Sequence, residues 1–183
     1  MQGIPSVETG IDFEHPLVVF AGDHKTIVEQ LGTLSWLPQL TKAAARARRV
    51  AAQTLALFED QVERHHREEE TELFPAVLRS AQKGEEAEQV QAHIDRLTVE
   101  HSGIEAQWHR LAPQLRKVAA GKDIEMDTDE LEQLVEAYFA HARFEEEVFL
   151  PLADKILARN GNHMSALGLS LHMGRVPIPS PRI

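Results

Sequence analysis

A unit in which glutamates follow a histidine by four and by five positions occurs twice in this chain, and each copy ends at a proline. The first copy runs from His65 to Pro75 and the second from His141 to Pro151, so the two have the same length. Because residues four apart lie nearly above one another on a helix, each copy directs an imidazole and a carboxylate to the same point. Two such helices that face each other would offer ligands to a pair of metal ions.

The spacing of further histidines indicates that the chain is a duplication. His101 follows His24 by 77 positions, and His141 follows His65 by 76 positions. A small insertion in a loop accounts for the difference. Each half is therefore predicted to be a pair of antiparallel helices, with one histidine on the first helix and the His-x-x-x-Glu unit on the second.

The pattern of apolar residues predicts an all-α fold. Apolar positions recur three and four residues apart, and helix-forming residues dominate the middle of the chain. Two helical hairpins, each with one apolar stripe to bury, would pack as an antiparallel up-down four-helix bundle. We predict an irregular lead-in over residues 1–13, the bundle over residues 14–160 and an irregular tail over residues 161–183. Helix signals fall at about residues 15–36, 42–82, 85–111 and 127–158.

Prolines and caps modify these helices. Pro75 and Pro151 lie inside apolar patterns, so we expect each to kink its helix near the end. Pro113 is expected to kink or end the third helix. Asp127, with Glu130 three residues later, predicts the start of the fourth helix.

Composition narrows the classes of function. The formal net charge of −10 argues against nucleic acid or an anionic membrane as a partner. The chain has no cysteine, which excludes disulfides, iron–sulfur clusters and cysteine-based zinc sites within it. No apolar run reaches the length of a membrane span or a signal-peptide core. We therefore expect a cytoplasmic protein, and the sequence leaves its oligomeric state open, with a dimer among the alternatives.

The repeated residues define one candidate metal site. His66 and Glu70 also lie four apart, but only His65 and Glu69 keep the distance to proline found in the second copy. We therefore place His65 and Glu69 toward the site, and His66 and Glu70 on the flank of the helix. Neutral imidazoles with carboxylates suit iron, manganese or zinc. The predicted ligands are His24, His65, Glu69, His101, His141 and Glu145.

Coordination arithmetic favours two metal ions in this site. Two six-coordinate ions need about twelve bonds, of which two bridging carboxylates, four imidazoles and a bridging oxide or hydroxide supply about ten. About two positions then stay open. A small ligand such as dioxygen or nitric oxide would bind there.

With these motifs the chain resembles the hemerythrin family, and within it the hemerythrin-like (HHE) cation-binding proteins. The resemblance covers about residues 14–160 and implies a four-helix bundle with a non-haem di-iron centre. It also implies that Glu69 and Glu145 bridge the irons. The oxygen carriers have a second histidine one turn after the position of His101, where this chain has Glu105. Three roles remain open for Glu105: an iron ligand, a group that closes an open position, or a hydrogen-bond partner of a bound ligand.

Three functions are compatible with such a site. The first is a di-iron protein that binds or senses a small oxidant such as dioxygen, nitric oxide or peroxide. The second is a di-iron enzyme in nitric oxide or peroxide detoxification or in iron–sulfur repair, for which the sequence assigns no catalytic residue. The third is an interaction bundle that holds zinc or no metal.

Overall fold

The computed structural model describes residues 16–159 and residue 168, and within that part of the chain all regular structure is helical. The all-α prediction is therefore confirmed. The chain divides into two compact units, Met1–Arg46 and Ala47–Ile183. Among the helices described, none combines the length and the hydrophobicity that crossing a membrane would need. The predicted lead-in over residues 1–13 and the tail over residues 161–183 lie outside the described residues, apart from residue 168.

The first unit contains α1, Pro16–Leu34, and the beginning of α2, Leu37–Leu57. The break between them falls where the sequence predicts an interruption. The second helix nevertheless starts at Leu37, about five residues earlier than predicted. Its start is compatible with Pro38 because the first turn of a helix has no use for the N–H that proline lacks.

The second unit consists of three long helical stretches. The first continues from α2 without a break to Ser80, the second is one helix, and the third is interrupted only by a widened turn. In order, the elements after α2 are a π-helical turn Phe58–Val62, α3 Glu63–Glu68, a π-helical turn Glu69–Leu73, α4 Phe74–Ser80, α5 Glu85–Ala119, α6 Thr128–Phe144, a π-helical turn Glu145–Phe149 and α7 Leu150–Leu157.

Two of the π-helical turns start at the glutamates of the repeated unit. They begin at Glu69 and Glu145, and in each case a proline, Pro75 or Pro151, lies two residues beyond the end of the turn. Proline has no N–H to donate, and its ring collides with the carbonyl four residues earlier, which a wider turn relieves. Both copies therefore respond to their proline in the same way, with a widened turn at the glutamate followed by a further α-helix.

The third predicted helix is longer than the sequence suggested. Pro113 lies inside α5, which continues to Ala119. The helix persists because Leu111, Ala112 and Leu115 on either side of the proline are buried in the core, and their burial outweighs the loss of one backbone hydrogen bond. The predicted start of α6 is confirmed, since the Asp127 side chain accepts a hydrogen bond from the Glu130 N–H.

The core of the second unit consists of two apolar clusters. Cluster A contains Phe74, Ala76, Val77, Val90, Leu97, Phe149, Ala153, Ile156 and Leu157. Cluster B contains Ala51, Phe58, Val62, Ile104, Trp108, Leu111, Ala112, Leu115 and Leu134. The first and third stretches run from cluster B to cluster A, whereas α5 runs from cluster A to cluster B, so neighbouring stretches alternate in direction. The repeated histidines and glutamates lie between the two clusters on all three stretches.

Candidate metal centre

Three buried histidines, one from each long stretch, meet between the two apolar clusters. His66 on α3, His101 on α5 and His141 on α6 are each only 1% exposed. The rings of His66 and His101 stack with 3.9 Å between their centroids, and the ring of His141 meets that of His101 edge-on at 4.8 Å. One ring nitrogen of each histidine lies within 4.8 Å of those of the other two, which is close enough for one ion to contact all three.

Each of these histidines pairs with a carboxylate from a neighbouring stretch. The pairs join Nδ1 to a carboxylate oxygen at 3.1 Å for His66–Glu105, 2.8 Å for His101–Glu70 and 3.2 Å for His141–Glu100. A neutral ring that donates its Nδ1–H in this way has its lone pair on Nε2. All three Nε2 atoms are buried and have no hydrogen-bond partner. Buried nitrogens with unused lone pairs are suited to hold a metal ion, so the donor set fits one.

A second group of potential ligands adjoins the first and is rich in carboxylate. It contains His65, Glu69 and Glu145. Nε2 of His65 lies 3.3 Å from Oε1 of Glu69 and 3.9 Å from Oε2 of Glu145. Both glutamates are buried, whereas the His65 side chain is 43% exposed. This group therefore forms the side of the centre that solvent reaches.

The two buried glutamates of the second group also face the three-histidine group. Oε1 of Glu69 faces His65, while Oε2 of the same carboxylate lies 3.3 Å from Nε2 of His101. Oε2 of Glu145 lies 3.8 Å from Nε2 of His141 and 3.9 Å from Nε2 of His65. Each carboxylate thus contacts a histidine of both groups, which is the arrangement that a ligand shared by two ions requires.

Burial controls the proton affinities of the centre in the absence of a cation. Desolvation, together with the neighbouring histidines, lowers the pKa of His66 from 6.5 to about 3. Desolvation, together with the nearby Glu69, raises the pKa of Glu145 from 4.5 to about 8. At neutral pH the free protein therefore holds a neutral imidazole at His66 and a proton on Glu145. A bound cation would replace that proton.

The pKa values of the other two buried histidines, His101 and His141, are shifted in opposite directions. Burial lowers the pKa of His101, but the nearby carboxylates of Glu69 and Glu70 outweigh it, and the pKa is raised overall. The pKa of His141 is lowered, chiefly by burial and by the nearby His101.

The structure brings five of the six predicted ligands together. His65, Glu69, His101, His141 and Glu145 all belong to the two groups, together with His66. The sixth, His24, lies on α1 in the unit formed by residues 1–46, where its side chain is exposed. The assignment of each of the six as a metal ligand stays a prediction.

The prediction that His66 lies on the flank of its helix is wrong. Its side chain is buried and belongs to the three-histidine group, because Phe58, Val62 and His66 follow one another at four-residue intervals along the buried face. That interval is visible in the sequence and would have placed His66 inward. Glu70 is 40% exposed as a flank residue should be, but its carboxylate reaches His101.

Glu105 lies outside both groups of potential ligands. Its carboxylate contacts Nδ1 of His66, and its side chain is 40% exposed. Glu100 and Glu70 make the corresponding contacts with the other two histidines. These partners are not visible in the sequence, because contacts between helices depend on the register of the packing rather than on spacing along one helix.

Comparisons with known proteins give a family match over most of the chain. The family model described as "Hemerythrin HHE cation binding domain" matches residues 15–153. The chain is also similar to an uncharacterized protein of Haemophilus influenzae, with 26% identity over 161 residues, covering 84% of this chain and 90% of the relative. No solved structure matches the chain significantly.

Proposed function

The chain belongs to the hemerythrin HHE cation-binding domain family, and on that premise we propose that it is a non-haem di-iron protein that binds or senses a small oxidant. Membership of the family makes it a hemerythrin-like metal-binding protein, and the histidine and glutamate groups are able to hold metal. Iron as the metal, dioxygen, nitric oxide or peroxide as the ligand, and a cytoplasmic location are the further content of the proposal.

One observation carries the proposal. Two groups of nitrogen and oxygen donors adjoin, and the carboxylates of Glu69 and Glu145 in the second group contact a histidine of each. Imidazole with carboxylate suits iron, manganese and zinc, so manganese or zinc could replace iron without a change of ligands. Two irons, with an oxide or hydroxide between them, would supply redox chemistry and an open position for a small ligand.

The chain's own residues would prepare this centre in three ways. Clusters A and B flank the centre, with the Phe74 ring 6.0 Å from that of His101, and the three histidines are only 1% exposed, so bulk water does not reach them. The exposed side at His65 is the route by which a small ligand enters. The proton held on the Glu145 carboxylate at neutral pH leaves when a cation binds, so that binding is coupled to the release of a proton.

We propose that α1 completes an antiparallel four-helix bundle built from two duplicated hairpins. An apolar groove of about 210 Å³ opens in the second unit between the first and third stretches, and Phe139 on its rim is 70% exposed. On α1, Val28, Leu31 and Leu34 are also more than half exposed. Both surfaces are of the kind that helices bury against one another. Such packing would also give His24 a place in the ligand set.

The iron content of the purified protein tests the di-iron proposal. We expect about two irons per chain after anaerobic loading with Fe²⁺, and near-ultraviolet oxo–iron bands after exposure to air. Glu145→Ala should abolish those bands, because it removes a shared carboxylate. His109→Ala is the matched control, since His109 is an exposed histidine on α5. A wild-type protein that retains no iron and shows no such bands would disprove the proposal.

A further inference from the structure

We propose that the centre comprises two unequal metal sites, and that His66 is a ligand of the more buried one. That site is the three-histidine pocket of His66, His101 and His141, and Glu105 is the positioning residue that holds His66 in it. The inference rests on the proposed metal-binding function and specifies how the ligands divide between the two ions.

Ring nitrogens of three buried histidines lie close together in one pocket. The Nε2 atoms of His66, His101 and His141 are buried without a hydrogen-bond partner, although all three rings are 1% exposed. A buried polar atom without a partner costs about 1–3 kcal/mol. One ring nitrogen of each of the three histidines lies within 4.8 Å of those of the other two, so that cost is concentrated in one place. One cation bound there would satisfy all three.

A carboxylate on the Nδ1 side already orients each of the three rings. A histidine that binds a metal usually donates its other ring N–H to a carboxylate, which fixes the tautomer and makes the ring a better ligand. All three histidines have such a partner, in Glu105, Glu70 and Glu100. His66 is equivalent to the other two in this respect. Glu105, the carboxylate partner of His66, belongs to neither group of potential ligands.

The two groups differ in donor type and in exposure to solvent. The three-histidine pocket offers neutral nitrogen donors and is closed to solvent, whereas the group of His65, Glu69 and Glu145 offers two carboxylates and one exposed histidine. Nitrogen donors favour later divalent ions of the first transition row more strongly than oxygen donors do. The pocket should therefore bind a first equivalent of Co²⁺ or Zn²⁺ more tightly than the carboxylate group binds the second.

Titration of the metal-free full-length protein with Co²⁺ tests this assignment, because the visible spectrum of Co²⁺ reports its ligands. We expect two equivalents to bind the wild type in two separate phases. His66→Ala should weaken the first phase at least 10-fold and change its spectrum, and His65→Ala should weaken the second phase instead. His109→Ala should leave both phases unchanged, since this histidine is exposed outside the centre.

Glu105 is tested by a pair of substitutions. Removal of such a supporting partner typically costs 10–100-fold in metal affinity, and we expect that loss in the first phase for Glu105→Ala. Glu105→Gln, which keeps an oxygen that can accept the His66 Nδ1–H, should recover part of it. Equal losses in the two variants would show that Glu105 does not act through this hydrogen bond.

The outcomes separate this inference from the proposed function. A wild-type protein that binds neither Co²⁺ nor iron contradicts the proposed function itself. A wild type that binds two equivalents, together with a His66→Ala variant that does the same with unchanged affinity and spectrum, overturns only the role of His66. If His66→Ala does not fold, His66→Leu fills similar volume beside Val62 without offering a ligand, and the same first-phase loss is expected.

Discussion

At the scale of single residues, two adjacent histidines have different environments. His66 is 1% exposed and stacks on His101, whereas the His65 side chain is 43% exposed and faces the carboxylates. Neighbouring residues on a helix point about 100° apart, so both can border a centre only if that centre spans a wide angle. Two groups of ligands side by side provide that width.

Glu145 makes the stability of the metal-free protein depend on pH. Its pKa is raised from 4.5 to about 8, so the fold gains stability from its proton at low pH and loses it as pH rises through about 8. His66, whose pKa is lowered to about 3, contributes stability above pH 6.5 that is lost as pH falls. Between pH 6.5 and 8 the stability contribution of His66 no longer changes, whereas that of Glu145 still decreases as pH rises.

We therefore expect the free energy of unfolding to fall over that window by up to ~1.4 kcal/mol per pH unit. Urea unfolding in the presence of a chelator measures it. Glu145→Gln cannot ionise and should flatten the slope, while Glu146→Gln, on the exposed face, should not. A Glu145→Gln protein with the same slope as the wild type would show that another group titrates there; His101, with its raised pKa, is the first candidate.

At the scale of helices, the widened turns are built into the ligand positions. The turns that start at Glu69 and Glu145 each close with an N–H from five residues later, given by Phe74 and Leu150. Such turns are less favourable than regular α-helix and recur at functional sites. We infer that the prolines that follow favour these turns over regular α-helix and thereby set the direction of two carboxylates.

Substitution of the two kinds of proline distinguishes these effects. Pro151→Ala should let the turn at Glu145 tighten toward a regular helix, which moves the carboxylate and weakens metal binding about 10-fold or more. Pro113→Ala is the control, because α5 is a regular α-helix around Pro113 and has no widened turn there. It should stabilise the protein by about 1–3 kcal/mol and leave metal binding unchanged. Metal titration and thermal melting measure the two effects, and equal metal affinity in wild type and Pro151→Ala would contradict this role.

The sequence predicted the helices better than it predicted the site. Periodicity and caps identified α1, α5 and α6, and the repeated unit identified five residues that meet in space. It missed the inward position of His66, because the comparison of the two copies favoured His65 and the second copy has Ala142 in the corresponding place. The carboxylates behind the histidines depend on how helices pack, which no spacing within one helix reports.

At the scale of the whole molecule, the proposed bundle depends on α1. Leu31 on α1 is 60% exposed, and its burial in a fourth-helix position would contribute about 1.5–3 kcal/mol. Leu31→Asp should therefore lower the melting temperature and, through His24, the metal content. Glu29→Asp on the same helix is the control.

The position of the centre between the two apolar clusters has a consequence for cooperativity. Cluster A and cluster B lie on opposite sides of a layer of imidazoles and carboxylates. In the metal-free protein this layer is the weakest section of the core, because its polar groups are imperfectly satisfied. Ions bound there would link ligands from all three stretches. The two apolar clusters should then unfold together in one cooperative transition. Metal binding would then make the helices more rigid along their full length.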